Sequence, residues 1–124
     1  MEVFIINFQE ITKADKDIFD CFFKNHYYEN SHFNFTNYFM WRKSFNIKYA
    51  KLADILFFKA KYEGEEFLLQ PIGPKKRVQA AIGKCLQYCE ENSIPFKMVG
   101  VEGWMAEELL KYDKNKFDFL PDRD

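Results

Sequence analysis

Hydrophobic positions along the chain change period several times, and each change marks a predicted element. Residues 3–8 are an apolar run without alternation, which predicts a buried first strand. Thr12-Lys13-Ala14-Asp15 then has the spacing of a capping box, with a hydroxyl and a carboxylate placed to satisfy the first free N–H groups of a helix. Ala14, Ile18, Cys21 and Phe22 follow at helical spacing, so a helix is predicted to about residue 25. Residues 26–34 carry His26, His32 and several aromatics with neither period and read as a structured loop. A second helix is predicted over 35–44, burying Tyr38, Trp41 and Phe45 with Arg42 turned outward.

Strands are predicted over 47–52 and 55–62, the second apolar on both faces as a central strand would be. Glu63-Gly64 supplies a hairpin turn into a partner strand over 66–70. Gly73-Pro74 ends that strand, and Pro74 suits the first position of a helix, where its missing N–H costs nothing. In this helix Val78, Ala81, Ile82, Cys85, Leu86 and Cys89 form one stripe. A strand over 96–101, a helix over 103–112 with Met105, Leu109 and Tyr112 inward, and a last strand over 116–120 complete the order β-α-α-β-β-β-α-β-α-β.

Composition narrows the function classes. At 124 residues the chain is predicted to form one domain, residues 1–124, of mixed α/β (α+β) type. Its 18 basic and 19 acidic side chains leave a net charge of −1, without the excess that binding nucleic acid requires. No apolar stretch approaches the ~18 residues of a membrane span and the N-terminus lacks a positive leader, so the expected location is cytoplasmic. Cys21, Cys85 and Cys89 are an odd set, read as reduced thiols in apolar positions; no metal signature is present. The 15 phenylalanines exceed what so small a core needs, which points to an aromatic surface that meets a partner.

The element order resembles the GNAT acyltransferase fold, in which two helices follow the first strand and a crossover helix leads from a three-strand meander to a parallel fifth strand. A more specific resemblance rests on Glu29-Asn30-Ser31, Phe35-Thr36-Asn37, Phe39, Trp41-Arg42 and Pro71-Ile72-Gly73. Together these resemble the bacterial family that shares the C-terminal domain of phosphatidylglycerol lysyltransferase, tandem GNAT proteins related to Fem-type aminoacyltransferases. The resemblance implies a parent activity that moves an aminoacyl group from a charged tRNA to a lipid or peptide. Asp122-Arg123-Asp124 looks like the junction to a second GNAT-like half, so this chain is expected to be the N-terminal, supporting half, with that second half as its partner.

The same resemblance assigns candidate chemistry. GNAT enzymes hold the acyl-CoA pyrophosphate with a Gln/Arg-x-x-Gly-x-Gly/Ala turn at a helix N-terminus. Gln70 and Gly73 match that pattern; Lys75 replaces the last small residue, Pro74 removes one donor, and Lys76 and Arg77 add positive charge. Tyr112 falls where such enzymes keep a tyrosine that protonates a leaving thiolate. Two other classes compete with the supporting half: a stand-alone acyl-CoA-dependent N-acyltransferase built on these residues, and a non-catalytic module that dimerises through its aromatic surface.

Overall fold

The computed structural model describes residues 6–25, 35–113 and 117. The predicted loop with His26 and His32, and all but Phe117 of the predicted last strand, lie outside these residues.

The described residues form a mixed sheet of five strands with four helices. In chain order the elements are β1 (Gln9–Glu10), α1 (Lys16–Asn25), α2 (Phe35–Trp41), β2 (Lys48–Leu52), β3 (Ile55–Tyr62), β4 (Glu65–Ile72), α3 (Val78–Glu91), β5 (Met98–Val99) and α4 (Gly103–Tyr112). The strands lie side by side in sequence order, antiparallel from β1 to β4, with β5 parallel to β4. That parallel pairing requires the crossover that α3 supplies. Among the described residues no helix is long and apolar enough to cross a membrane.

β3 explains the layering. Its residues alternate between two apolar surfaces, so Leu56, Phe58 and Ala60 meet α1 and α2 while Ile55 and Phe57 meet α3. On the first side Phe19 of α1 is fully buried and stands edge-on to Phe35, Tyr38, Tyr49 and Phe58, with ring centroids 5.0 to 6.3 Å away. A 3-10 turn at Lys13–Asp15 leads into α1 and is fixed by the predicted capping box, in which the Thr12 N–H donates to Asp15 Oδ2 at 2.7 Å. The same carboxylate is tied to the sheet, because the buried Tyr49 hydroxyl donates to Asp15 Oδ1 at 2.6 Å. Burial first, and this bond second, push the Tyr49 phenol up to about 12.

On the other side Ala81, Cys85 and Cys89 of α3 lie on Ile55, Phe57 and Leu68, and Val78 and Ile82 pack against Met105 and Leu109 of α4. Burial raises both α3 thiols, Cys89 to about 11 and Cys85 further, so they behave as apolar side chains.

Several boundaries differ from the sequence reading for local physical reasons. Ile6 and Phe8 are irregular backbone that packs against α3, and among the described residues pairing begins at Gln9 and Glu10, opposite Tyr49 and Lys48; residues 3–5 of the expected strand lie outside them. The strand expected over 96–101 pairs only at Met98 and Val99. β4 runs on past Pro71, which a strand interior normally excludes. It does so because β4 spends three residue steps where β3 spends two, between the Leu56–Ile72 and Phe58–Leu69 pairs. A proline needs no ladder partner in such a bulge.

Four side-chain expectations are corrected. Trp41 is 48% exposed and Arg42 is the half-buried member, its guanidinium 3.6 Å from the centre of the Phe39 ring and bonded to the Phe39 carbonyl. Phe39 offers a flat face and a carbonyl acceptor, which together hold the guanidinium against the helix. Cys21 is exposed, since α1 turns Phe19 to the sheet and Cys21 away from it. Tyr112 is 42% exposed rather than inward, the last residue of α4, with its hydroxyl over Gly83 of α3. Pro74 precedes a 3-10 turn at Lys75–Arg77 and caps it, so it does not occupy the first position of α3.

Candidate functional site

The turn from β4 to α3 gathers Gln70, Gly73, Pro74, Lys75 and Lys76, the residues predicted to hold a pyrophosphate. All but Lys76 have their positions set by a contact within the chain. Gln70 is fully buried. Its Oε1 accepts the Glu102 N–H at 2.8 Å and its Nε2 donates to Glu102 Oε1 at 3.2 Å. The Trp104 indole N–H donates to that same carboxylate oxygen at 2.9 Å. The amide thus joins the end of β4 to Glu102, the residue that caps α4. A buried amide with both ends paired contributes stability instead of costing it.

Gly73 has a steric reason of its own. A Cβ at this position would lie 2.8 Å from the Asp54 carbonyl oxygen, so only glycine lets the β4–α3 turn rest on the β2–β3 turn. Of the N–H groups at the turn, those of Arg77 and Val78 donate to the Pro74 and Lys75 carbonyls and Pro74 has none. The side chains are engaged too. Lys75 Nζ sits 4.6 Å above the Trp104 ring and Arg77 Nε pairs with Asp54 Oδ1 at 3.4 Å. Such exposed pairs contribute only ~0–1 kcal/mol, yet they turn two of the three cations away from an incoming anion. Lys76 is exposed. The hollow between Pro74, Arg77 and Trp104 has a volume of about 10 Å³, room for a single water.

Tyr112 stands apart from this turn. It ends α4, nine residues after Gly103 and therefore ~13 Å from the helix start. Its hydroxyl lies 3.4 Å from where a Cβ on Gly83 of α3 would be. The structure therefore brings Gln70, Gly73, Pro74, Lys75 and Lys76 together, and sets Tyr112 at the other end of α4.

A second polar cluster escaped the sequence reading. Lys59 of β3 donates to the Tyr88 hydroxyl at 2.9 Å and pairs with Glu66 Oε1 at 2.9 Å, with the Phe8 ring 5.1 Å from its ammonium. Burial alone would push Lys59 toward losing its proton. Its bonds to Tyr88 and Glu66 outweigh burial and hold its pKa above the usual lysine value. The available signal was a lysine interrupting the apolar run Ile55-Leu56-Phe57-Phe58 on the α3 side of the strand. Among the described residues no group of three or more His, Cys, Asp or Glu is arranged to hold a metal ion.

Comparison with known proteins adds the family. No curated protein matches the chain. One solved structure, a conserved protein of unknown function from Bacteroides thetaiotaomicron, is similar at 26% identity with a TM-score of 0.79. The match covers 88% of this chain and 36% of that protein, so the chain spans about a third of its structural relative. Residues 25–124 match the family described as phosphatidylglycerol lysyltransferase, C-terminal. The geometry of the β4–α3 turn lies within that match, and the chain belongs to the phosphatidylglycerol lysyltransferase C-terminal domain family.

Proposed function

We propose that these 124 residues form one GNAT-like domain that serves as the N-terminal, supporting half of a two-part aminoacyltransferase-like protein, the chemistry residing in a second half. The family supports the acyltransferase setting, and the longer structural relative supports a larger whole. The observed order, two helices after β1, a meander of β2 to β4 and a crossover into parallel β5, supports the GNAT-like layout. The observation that carries the supporting role is Gln70. A side chain that would greet a cofactor's phosphates is instead fully buried and bonded at both ends to Glu102.

The stand-alone reading, with acyl-CoA on Gln70, Gly73, Pro74, Lys75 and Lys76 and Tyr112 as the acid, makes an opposite prediction. A ligand present at 100 times its Kd stabilises the folded state by ~2.7 kcal/mol. We expect no rise in Tm when the chain is heated with millimolar acetyl-CoA. A rise of several degrees, lost in Lys76→Ala, would show that the turn takes the cofactor and overturn the supporting role.

One observation favours a surface that meets another protein. Trp41, Phe45 and Tyr62 form a continuous aromatic ledge, with centroids 5.9 and 5.2 Å apart, and Met40, Trp41 and Tyr62 are all exposed. On the supporting-half reading this ledge waits for a different chain segment, and the expected mass by light scattering is that of one copy. A dimer mass that reverts to monomer in Trp41→Ser would favour the self-association module instead.

A further inference from the structure

A cleft of about 300 Å³ opens between the segment before β1, the middle of β3 and the second half of α3, away from the β4–α3 turn. That volume is at the small end of the range for ligand sites. We propose that this cleft binds a neutral polyhydroxylated ring of monosaccharide size.

The charges at the cleft cancel. Lys59 pairs with Glu66 at 2.9 Å and donates to the Tyr88 hydroxyl at 2.9 Å. Its ammonium also lies 5.1 and 5.5 Å from the centres of the Phe8 and Tyr88 rings, which completes its surroundings. On the rim Lys84 is engaged within the chain and stands with Glu91. An incoming anion would meet Glu91 and Glu66, and an incoming cation would meet Lys84 and Lys59. Either would lose water without gaining an unpaired opposite charge, so the cleft suits a ligand with no net charge.

What the rim offers is acceptors. Gln87 Nε2 donates to Glu91 Oε1 at 3.0 Å, and Asn92 Nδ2 donates to the Tyr88 carbonyl at 2.9 Å. A carboxylate and a carbonyl only accept, so both amides are oriented with their oxygens left over. Among the described residues nothing else engages Gln87 Oε1, Asn92 Oδ1 or Glu91 Oε2. A ligand lodged here must replace water with donors of its own, and several hydroxyls on one frame do so without adding charge. The walls ask for a ring. Phe8 and Tyr88 meet edge-to-face at 5.0 Å and both line the cleft. The C–H groups of a sugar ring, polarised by the neighbouring oxygens, pack well on aromatic surface, whose face carries negative charge. A polyol with no ring would leave that surface wet, and a ring with no hydroxyls would leave the acceptors unpaired.

The test titrates the isotope-labelled chain and follows backbone amide shifts. The methyl glycosides of glucose, galactose and mannose carry both hydroxyls and a ring, cyclohexanol is a ring with a single hydroxyl, and glycerol has hydroxyls and no ring. At least one glycoside is expected to give saturable millimolar shifts at Phe8, Gln87, Tyr88 and Asn92, about tenfold tighter or more than either control. Its affinity should change less than about twofold between low salt and ~0.5 M salt, conditions under which an ionic site weakens. Gln87→Met, on α3 but off its buried stripe, is expected to weaken binding about fivefold, the effect of one neutral hydrogen bond. Phe8→Leu is expected to abolish saturation. No saturable glycoside shift, an equal response to cyclohexanol or glycerol, an affinity that falls with salt, or an unchanged affinity in a folded Gln87→Met chain would each overturn the proposal, as would saturation that persists in Phe8→Leu. None of these results bears on acetyl-CoA at the other turn, so the two readings fail separately.

Discussion

Phe19→Ala should cost about 3–5 kcal/mol, the loss expected when a fully buried aromatic is truncated in a packed core. The position is extreme because one ring serves three elements. Phe19 comes from α1, Phe35 and Tyr38 from α2, and Tyr49 and Phe58 from β2 and β3, and all four rings stand edge-on to it. Edge-to-face pairs contribute ~0.5–1.5 kcal/mol beyond the area they bury, and alanine removes all of them at once. Set against a total stability of ~5–15 kcal/mol, the variant should lose about a fifth of its margin or more. Urea unfolding followed by tryptophan fluorescence would measure this, and Phe19→Leu should recover about half. A loss below ~1 kcal/mol would mean that α1 does not close this face of the sheet.

Gln70→Leu should be the most damaging change outside the apolar clusters, at about 1–3 kcal/mol. Leucine fills similar space, so the cost comes from what it strands: the Glu102 N–H at the start of α4 and one side of the Glu102 carboxylate. Gln70→Glu should be worse, since it sets a second carboxylate against Glu102 inside the protein. The same unfolding experiment distinguishes the roles. A phosphate-binding glutamine is dispensable to the empty fold, so an unchanged midpoint in Gln70→Leu would remove the main support for the supporting-half reading.

How much of this was legible beforehand depends on how local the cause is. β3 and α4 begin and end where the pattern placed them, because an eight-residue apolar strand and a Gly-to-Tyr amphipathic turn sequence are set by their own residues. The Glu63-Gly64 turn is equally local, with φ of 50° and 81° at the two positions. The two shortest strands are the least legible, since two paired residues leave no periodicity to read: β5 is shorter than the expected strand that contains it, and β1 follows the expected run. Pro71 hid the last residues of β4, because the bulge that accommodates it is a property of the pairing and not of either strand. Trp41 and Arg42 exchanged places for the sake of Phe39, three residues from Arg42, a contact that hydrophobicity alone does not rank. Within the candidate site, the cluster at Gln70 was found through a motif, yet its partner Glu102 lies 32 residues away and nothing in either segment announces the other. Lys59 and Tyr88 are 29 residues apart and were missed for the same reason.

Gly73 carries a consequence for how relatives of this chain are compared. Its lack of a side chain is enforced by the Asp54 carbonyl, so selection for folding alone will retain it. In an alignment such a glycine looks the same as one preserved by a cofactor. Its presence in a relative therefore carries no weight for cofactor use, and the informative column is the one at Gln70, read jointly with the column at Glu102: where the two vary together, the buried pair is being maintained, and where the glutamine persists after the acid is lost, another ligand has taken its place.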